Sequence, residues 1–137
     1  SVGAAAVGLA QRALDEAIRH TTTRNQFGRP LSELGPVAMH LADSWADIES
    51  ARLLVYRAAV QARKDPAGAL AHSSMAKLVA TEAAGRVVDR AVQLAGRYGL
   101  VKDSVLERLY RAARAMRIYE GASDVLRLSL ARALTGT

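Results

Sequence analysis

Three short stretches of this 137-residue chain place residue types where chemistry could use them. In "RIYEGASDVLRL", Arg117 to Leu128, Glu120 stands between an aromatic residue and a glycine, where one apolar-periodic segment stops and another begins. A carboxylate there could accept a proton from a substrate, or it could simply steady the start of the next helix, whose free N–H groups favour negative charge. In "RNQFGRP", Arg24 to Pro30, Phe27 lies in a polar, glycine-bearing loop three residues after Arg24. That loop could be a hydrophobic plug. It could also stack an adenine on Phe27 while Arg24 meets a phosphate through charge-assisted hydrogen bonds, each contributing roughly 1.5–3 kcal/mol. In "QLAGRYG", Gln93 to Gly99, a glycine-bearing helix end reads either as a plain C-cap or as exposed backbone that a ligand could approach.

The elements that must position these stretches are all helical. From Val2 to His20, Val2, Ala6, Leu9, Ala10, Ala13, Leu14 and Ala17 recur at helical spacing, with polar residues opposite. Gly28, Pro30 and Gly35 interrupt the pattern, and Pro36 suits the first turn of a long second helix. The stripe of that helix is Val37, Leu41, Trp45, Ile48, Leu53, Val55, Ala59 and Ala62. Asp65 and Pro66 read as N-cap and first residue of a third helix that runs to about Ala95 and is apolar on most sides, as a central helix would be. Gly96 and Gly99 end it. Asp103 or Ser104 caps a fourth helix to about Ile118, and Ser123 or Asp124 caps a fifth through Leu134; no segment alternates as a strand should. The expected fold is an all-α, antiparallel four-helix up-and-down bundle with an additional short C-terminal helix, forming one domain over residues 1–137.

Composition narrows the function classes. The absence of cysteine excludes disulfides, thiolate metal sites and a cysteine nucleophile, and fits a cytoplasmic setting; no metal site is expected. No apolar run approaches the roughly 20 residues of a membrane span. Ser1 opens the chain inside a helical pattern, which points to a piece of a longer polypeptide. The net charge of +6 invites a nucleic-acid partner, but the arginines are scattered and no basic run appears, so a site for an anionic, phosphate-bearing cofactor accounts for the charge better.

Taken together and in this order, "RNQFGRP", "QLAGRYG" and "VLERLYRAARAMRIYEGASDV" resemble the C-terminal helical domain of the acyl-CoA dehydrogenases over nearly the whole chain. R-x-x-F-G and Y-E-G-x-S are specific as a pair, though each alone is weak. The resemblance implies an FAD-dependent enzyme of fatty acid metabolism that desaturates an acyl-CoA thioester at the α,β position. It assigns Arg24 and Phe27, with Gln26 beside them, to the pyrophosphate and adenine of FAD held mainly by a neighbouring subunit. Gln93 and Gly96, with Arg97 following, inherit contacts to the same dinucleotide. Glu120 matches the base that removes the α-proton while a hydride leaves the β-carbon for the flavin. Gly121 would adjoin the substrate, and Ala122, Ser123 and Asp124 would lie along the cofactor. A thioester α-proton is barely acidic, so such a base needs a closed, poorly hydrated pocket, and the carbonyl oxygen needs hydrogen-bond donors, which the family takes from a backbone N–H and a flavin hydroxyl. The implied partners are an acyl-CoA, an electron-transferring flavoprotein or similar acceptor, and further copies of the chain in a homodimer or homotetramer, or a related chain in a hetero-oligomer.

The chain departs from the family pattern at Gly35, where glutamine is common, at Arg97 for a second glycine, at Ala112 for aspartate, and at Ala122 for threonine. Arg97 could replace lost contacts by its charge or could block close backbone approach. A second function class is a dehydrogenase-like helical domain that binds DNA through the arginine spiral Arg108, Arg111, Arg114 and Arg117. It ranks below the enzyme, because a solvated or interface helix face explains those arginines equally well.

Overall fold

The computed structural model describes residues 2–136. Its elements are α1 (Val2–Thr23), β1 (Asn25–Gln26), β2 (Arg29–Pro30), α2 (Gly35–Lys64), α3 (Ala69–Ala95), α4 (Arg97–Leu100), α5 (Val105–Met116) and α6 (Ser123–Thr135), with a single 3₁₀ turn at Leu31–Glu33 before α2. The arrangement is the helical bundle that the periodicity predicts, and α3 is its centre, packed on α1, α2, α5 and α6.

Small side chains set the spacing. On α1 the buried face is Gly3, Ala6, Val7, Ala10, Ala13, Leu14 and Ala17. On α3 it includes Ala76, Ala80, Ala83, Ala84, Val87, Val88 and Ala91. Alanine has high helix propensity and projects little, so both helices form readily and their backbones approach closely. Gly3 marks the tightest part of this seam, since an added Cβ would lie 3.2 Å from Val55 Cγ2 and 3.3 Å from the Ala76 carbonyl oxygen. The long-range pairs fix direction. Asp47 meets Arg86 and Arg90 while Val55 lies at the level of Ala76, so α2 and α3 run antiparallel. Tyr110 reaches Asp89 and Arg117 reaches Glu82, so α3 and α5 do too.

Buried hydroxyls close on their own helices: Thr21 donates to the Ala17 carbonyl at 2.8 Å, Thr81 to that of Lys77 at 3.0 Å and Ser44 to that of His40 at 2.7 Å. Thr21 and Thr81 can therefore sit fully buried without an unmet polar group.

Several local expectations change. Asp65 does not cap α3; it ends α2, its carboxylate accepts from the Gly68 amide at 3.1 Å, and α3 begins only at Ala69 with Gly68 as N-cap. The connection closes on itself and leaves Pro66 outside the helix. Ser104, not Asp103, caps α5, accepting from the Glu107 amide at 3.3 Å, while Glu107 accepts from the Asp103 amide. Neither Ser123 nor Asp124 caps α6; Ala122 holds that place. The loop after α1 contains a two-residue hairpin with Asn25 opposite Pro30 and Gln26 opposite Arg29. Most notably, the α2 stripe is only partly buried. Ile48, Ala51 and Ala58 with Ser44 face the core, whereas Met39, Trp45, Leu53, Tyr56 and Val60 are exposed, Trp45 at 64% and Leu53 at 66%. A helix with apolar residues on two sides has one side to spare.

Two consequences can be measured. Gly99 on α4 is buried against α3, where an added Cβ would lie 3.0 Å from Val92 Cα and 3.1 Å from its carbonyl oxygen. Gly99→Ala should therefore destabilise the chain by about 1–3 kcal/mol in chemical denaturation. Gly8→Ala, at a helical position with nothing within 4 Å of the added carbon, should instead stabilise it by about 0.4–1 kcal/mol. The second concerns acid. Burial would push the Asp47 carboxyl up, but hydrogen bonds and charge from Arg86 and Arg90 bring it below its ordinary value of 3.8. Because the unfolded carboxyl takes up its proton first, the stability it contributes is complete above pH 3.8 and is lost as pH falls through the lower folded value. The melting temperature should drop in that window, and Asp47→Asn should flatten part of the drop.

Candidate functional site

The residues singled out by type and spacing fall at two ends of α3. At its C-terminal end, Gly96 adopts φ 58°, ψ −137°, a conformation that a side chain disfavours, and nothing lies within 4 Å of where a Cβ would be. Its open backbone borders a shallow groove of about 300 Å³ shared with His20, Arg24, Gln26, Arg97 and Tyr98. This groove is positive. Burial, then the charges of Arg19 and Arg24, lower the His20 pKa, so the imidazole is kept neutral beside two guanidinium groups. The His20 and Tyr98 rings tilt against each other with centroids 5.8 Å apart. Arg97 stacks over the Tyr98 ring at 5.1 Å and donates to its hydroxyl at 3.2 Å, so its charge is held at the groove edge. Gln93 is exposed one turn earlier, and its carbonyl accepts from the Gly96 amide at 3.2 Å.

Phe27 is not a plug. It stands at the hairpin tip, 86% exposed, with φ 55° followed by Gly28 at φ 79°. Two successive positive φ values are those of a type I′ turn, which Asn-Gly fills at little cost and an aromatic residue does not. Backbone strain thus accompanies an apolar ring held in solvent.

The second set surrounds the turn between α5 and α6. Glu120 has φ 54° and Gly121 φ 96°, and a Cβ on Gly121 would come within 3.0 Å of Leu126 Cδ2. Glu120 itself is exposed. It edges a groove of about 580 Å³ with Val2, Val55, Ala58, Leu70 and Leu126 among its walls, together with Lys77. Lys77 is 8% exposed and donates from Nζ to the Gly121 carbonyl at 2.6 Å. Burial lowers its pKa, while the charges of Glu82 and Glu120 pull the other way. Both ends of the turn are tied to Glu82, whose Oε1 accepts from Arg117 Nε at 3.0 Å and from Ser123 Oγ at 2.6 Å. Burial would raise the Glu82 pKa, but these bonds and the charges of Arg117 and Arg127 lower it, so the carboxylate stays ionised. The Ser123 hydroxyl is thus committed to the protein interior. Ala122 offers no side-chain oxygen at the N-cap of α6, leaving first-turn N–H groups of that helix without a side-chain acceptor from the cap, and Asp124 is exposed in that turn.

The structure therefore brings Arg24, Gln26, Gly96 and Arg97 together at one end, with Gln93 and Phe27 nearby in sequence but outside the groove lining. It gathers Glu120 to Asp124 at the other. From Lys77 to Ala95 is roughly 27 Å along α3 at 1.5 Å per residue. His20, Tyr98, Lys77 and Glu82 escape sequence reasoning. His20 and Glu82 look like ordinary helix-face residues, and only tertiary contacts reveal Lys77 as buried.

Comparison with known proteins agrees with this fold. Residues 1–135 match the family described as acyl-CoA dehydrogenase, C-terminal domain. Cyclohex-1-ene-1-carbonyl-CoA dehydrogenase of Geobacter metallireducens is 42% identical over 131 residues, covering 96% of this chain and 34% of the relative. Butyryl-CoA dehydrogenase from Megasphaera elsdenii superposes with a TM-score of 0.93 at 36% identity, covering 98% of this chain and 35% of that one. A structure reported as an FAD complex of PigA superposes with a TM-score of 0.90 at 27% identity, covering 97% and 34%. The chain thus spans about a third of the length of the relatives it matches. It belongs to the acyl-CoA dehydrogenase family and corresponds to the C-terminal helical domain of that family's oxidoreductases.

Proposed function

We propose that the protein containing this chain is an FAD-dependent acyl-CoA dehydrogenase in which Glu120 takes the α-proton of the thioester. The carrying observation is the turn at Glu120: a carboxylate held at φ 54° at the rim of an apolar groove, followed by a glycine that no other residue could replace without strain. Non-glycine residues in that region cost of order 1–3 kcal/mol and persist where surrounding contacts hold them, which is common at functional sites. Gly121 adjoins the substrate in this reading. The groove beside Glu120 is apolar enough to take part of an acyl chain, and the remaining cover that a weakly acidic proton requires comes from residues beyond these 137.

The residues at the other end of α3 suit an anionic dinucleotide. Arg24 and Arg97 supply charge, the bare backbone at Gly96 allows close approach, Gln26 and Gln93 add polar contacts, and Phe27 offers an unpartnered ring face for adenine. When bound, FAD supplies the hydride-accepting chemistry that these side chains lack. With roughly 20–27 Å of α3 between the two sets, a single chain would contribute Glu120 to one active site and Arg24, Phe27 and Gly96 to the cofactor of another. That division favours a homodimer or homotetramer, with an acyl-CoA substrate and an electron-transferring flavoprotein or similar acceptor as partners. Ala122, Ser123 and Asp124 would lie along the cofactor, with the Asp124 backbone N–H and side chain as the groups offered to it, since the Ser123 hydroxyl is engaged with Glu82 and its amide with the Arg117 carbonyl.

The DNA-binding reading gains no support. On α5, Arg111 pairs with Glu107 at 2.7 Å and Arg117 with Glu82, so two of the four arginines are partly neutralised. No helix of the described residues is long and apolar enough to cross a membrane.

Glu120→Gln in the full-length protein should keep flavin and acyl-CoA binding while slowing substrate bleaching of the flavin by about 10²–10⁴-fold in stopped-flow absorbance. Bleaching at close to the parental rate with a slightly lower melting temperature would make Glu120 a structural acid. The exposed α2 face gives a second expectation. The isolated chain should be colourless and self-associated in sedimentation velocity, and Trp45→Lys should shift it toward monomer; a strict monomer with Trp45 intact would remove α2 as an interface.

A further inference from the structure

We propose that Lys77 is a positioning residue for Glu120: its ammonium, through the Gly121 carbonyl, fixes the left-handed turn that aims the carboxylate, with Glu82 anchoring both ends of the same turn. This rests on the reading of Glu120 as the proton acceptor and adds to it a dependence on two α3 residues, Lys77 and Glu82, that act through the turn.

A lysine is an unfavourable choice for this place on packing grounds. At 8% exposure the side chain is largely covered, and its ammonium donates to a neutral carbonyl rather than to a carboxylate. A methionine would fill the same space among Val2, Ala58 and Leu126 with less desolvation. What the lysine adds is a donor at 2.6 Å to one particular carbonyl, the one immediately after Glu120. Fixing that oxygen fixes the peptide plane that follows Gly121, the residue with φ 96°. Glu82, five residues on and a little over one turn away, holds Arg117 before the turn and Ser123 after it with a single oxygen, and the Ser123 amide donates to the Arg117 carbonyl at 3.1 Å. The turn is thus pinned at its start, its middle and its end to one rigid helix. Such over-determination lets a strained glutamate backbone persist, and a base misplaced by about 1 Å can lose on the order of 10²-fold in rate.

The test uses the full-length protein with butyryl-CoA as probe. Lys77→Met should lower kcat by roughly 10- to 100-fold with little change in KM and with flavin retained. In the Glu120→Gln background the same substitution should lower the residual rate no further, because its effect passes through the carboxylate. Hydrogen exchange of amides 118–124 should quicken while that of α1 and α2 stays as in the parent. Glu82→Gln, which removes charge and keeps shape, should show the same split and carries the test if Lys77→Met fails to fold. A Lys77→Met enzyme with parental kcat, or one whose loss is equally large in the Glu120→Gln background, overturns the proposal. A Glu120→Gln enzyme with parental rate instead removes the catalytic reading beneath it, whatever Lys77 does.

Discussion

The close approach of α1 to α3 governs the rest of the bundle, because the buried faces of both helices are mostly alanine, with only a few larger side chains such as Leu14 and Val87. Ala6, Ala10, Ala13 and Ala17 face Ala80, Ala83, Ala84 and Ala91 in one core cluster, and the fully buried side chains of any size are few, led by Ile48, Val87 and Val88. A core of small residues gains its stability from many short contacts rather than from a few large anchors. Both the Gly96 backbone and the Glu120 turn are set against α3, which spaces them along its length. Small residues near α4 repeat the theme, with Gly99 closing on Val92.

Strain in this molecule is not spread evenly. Among the described non-glycine residues, positive φ occurs at Phe27, Asp103 and Glu120. Asp103 needs no special account, since aspartate tolerates that conformation and adjoins a helix cap. Phe27 and Glu120 tolerate it poorly, and each is followed by a glycine that also has positive φ. These are the two residues that the resemblance assigns to adenine and to proton removal. Backbone geometry and the resemblance thus single out the same two positions by separate routes.

Much of this is legible in the sequence, and the exceptions share a cause. Helical periodicity locates every long helix, and Gly96 marks the end of α3, because these depend on local spacing and backbone freedom. The start of α3 is misplaced by sequence reasoning because Asp65 and Pro66 form a self-contained turn, which uses the same residue types as an N-cap. The hairpin at Phe27 escapes because its turn carries Phe-Gly where Asn-Gly would announce it. The partly exposed α2 stripe escapes because hydrophobicity does not say whether a residue is covered by its own chain or by another. Glu120 and Arg24 stand out by motif and position. Lys77 and Glu82 do not, because what distinguishes them is a partner 44 and 35 residues away.

Ala122 carries a consequence of a different kind. Where many helices begin with a side-chain oxygen that closes the first turn, α6 begins with a methyl group; the Ser123 amide turns back to the Arg117 carbonyl, and the amides after it receive no side-chain acceptor from the cap. Any bound molecule that places an oxygen there acts on α6 as a serine side chain acts on other helices. Occupancy and helix order then form one linked equilibrium, and part of the ligand's affinity would be read as the firmness of the protein's own last helix.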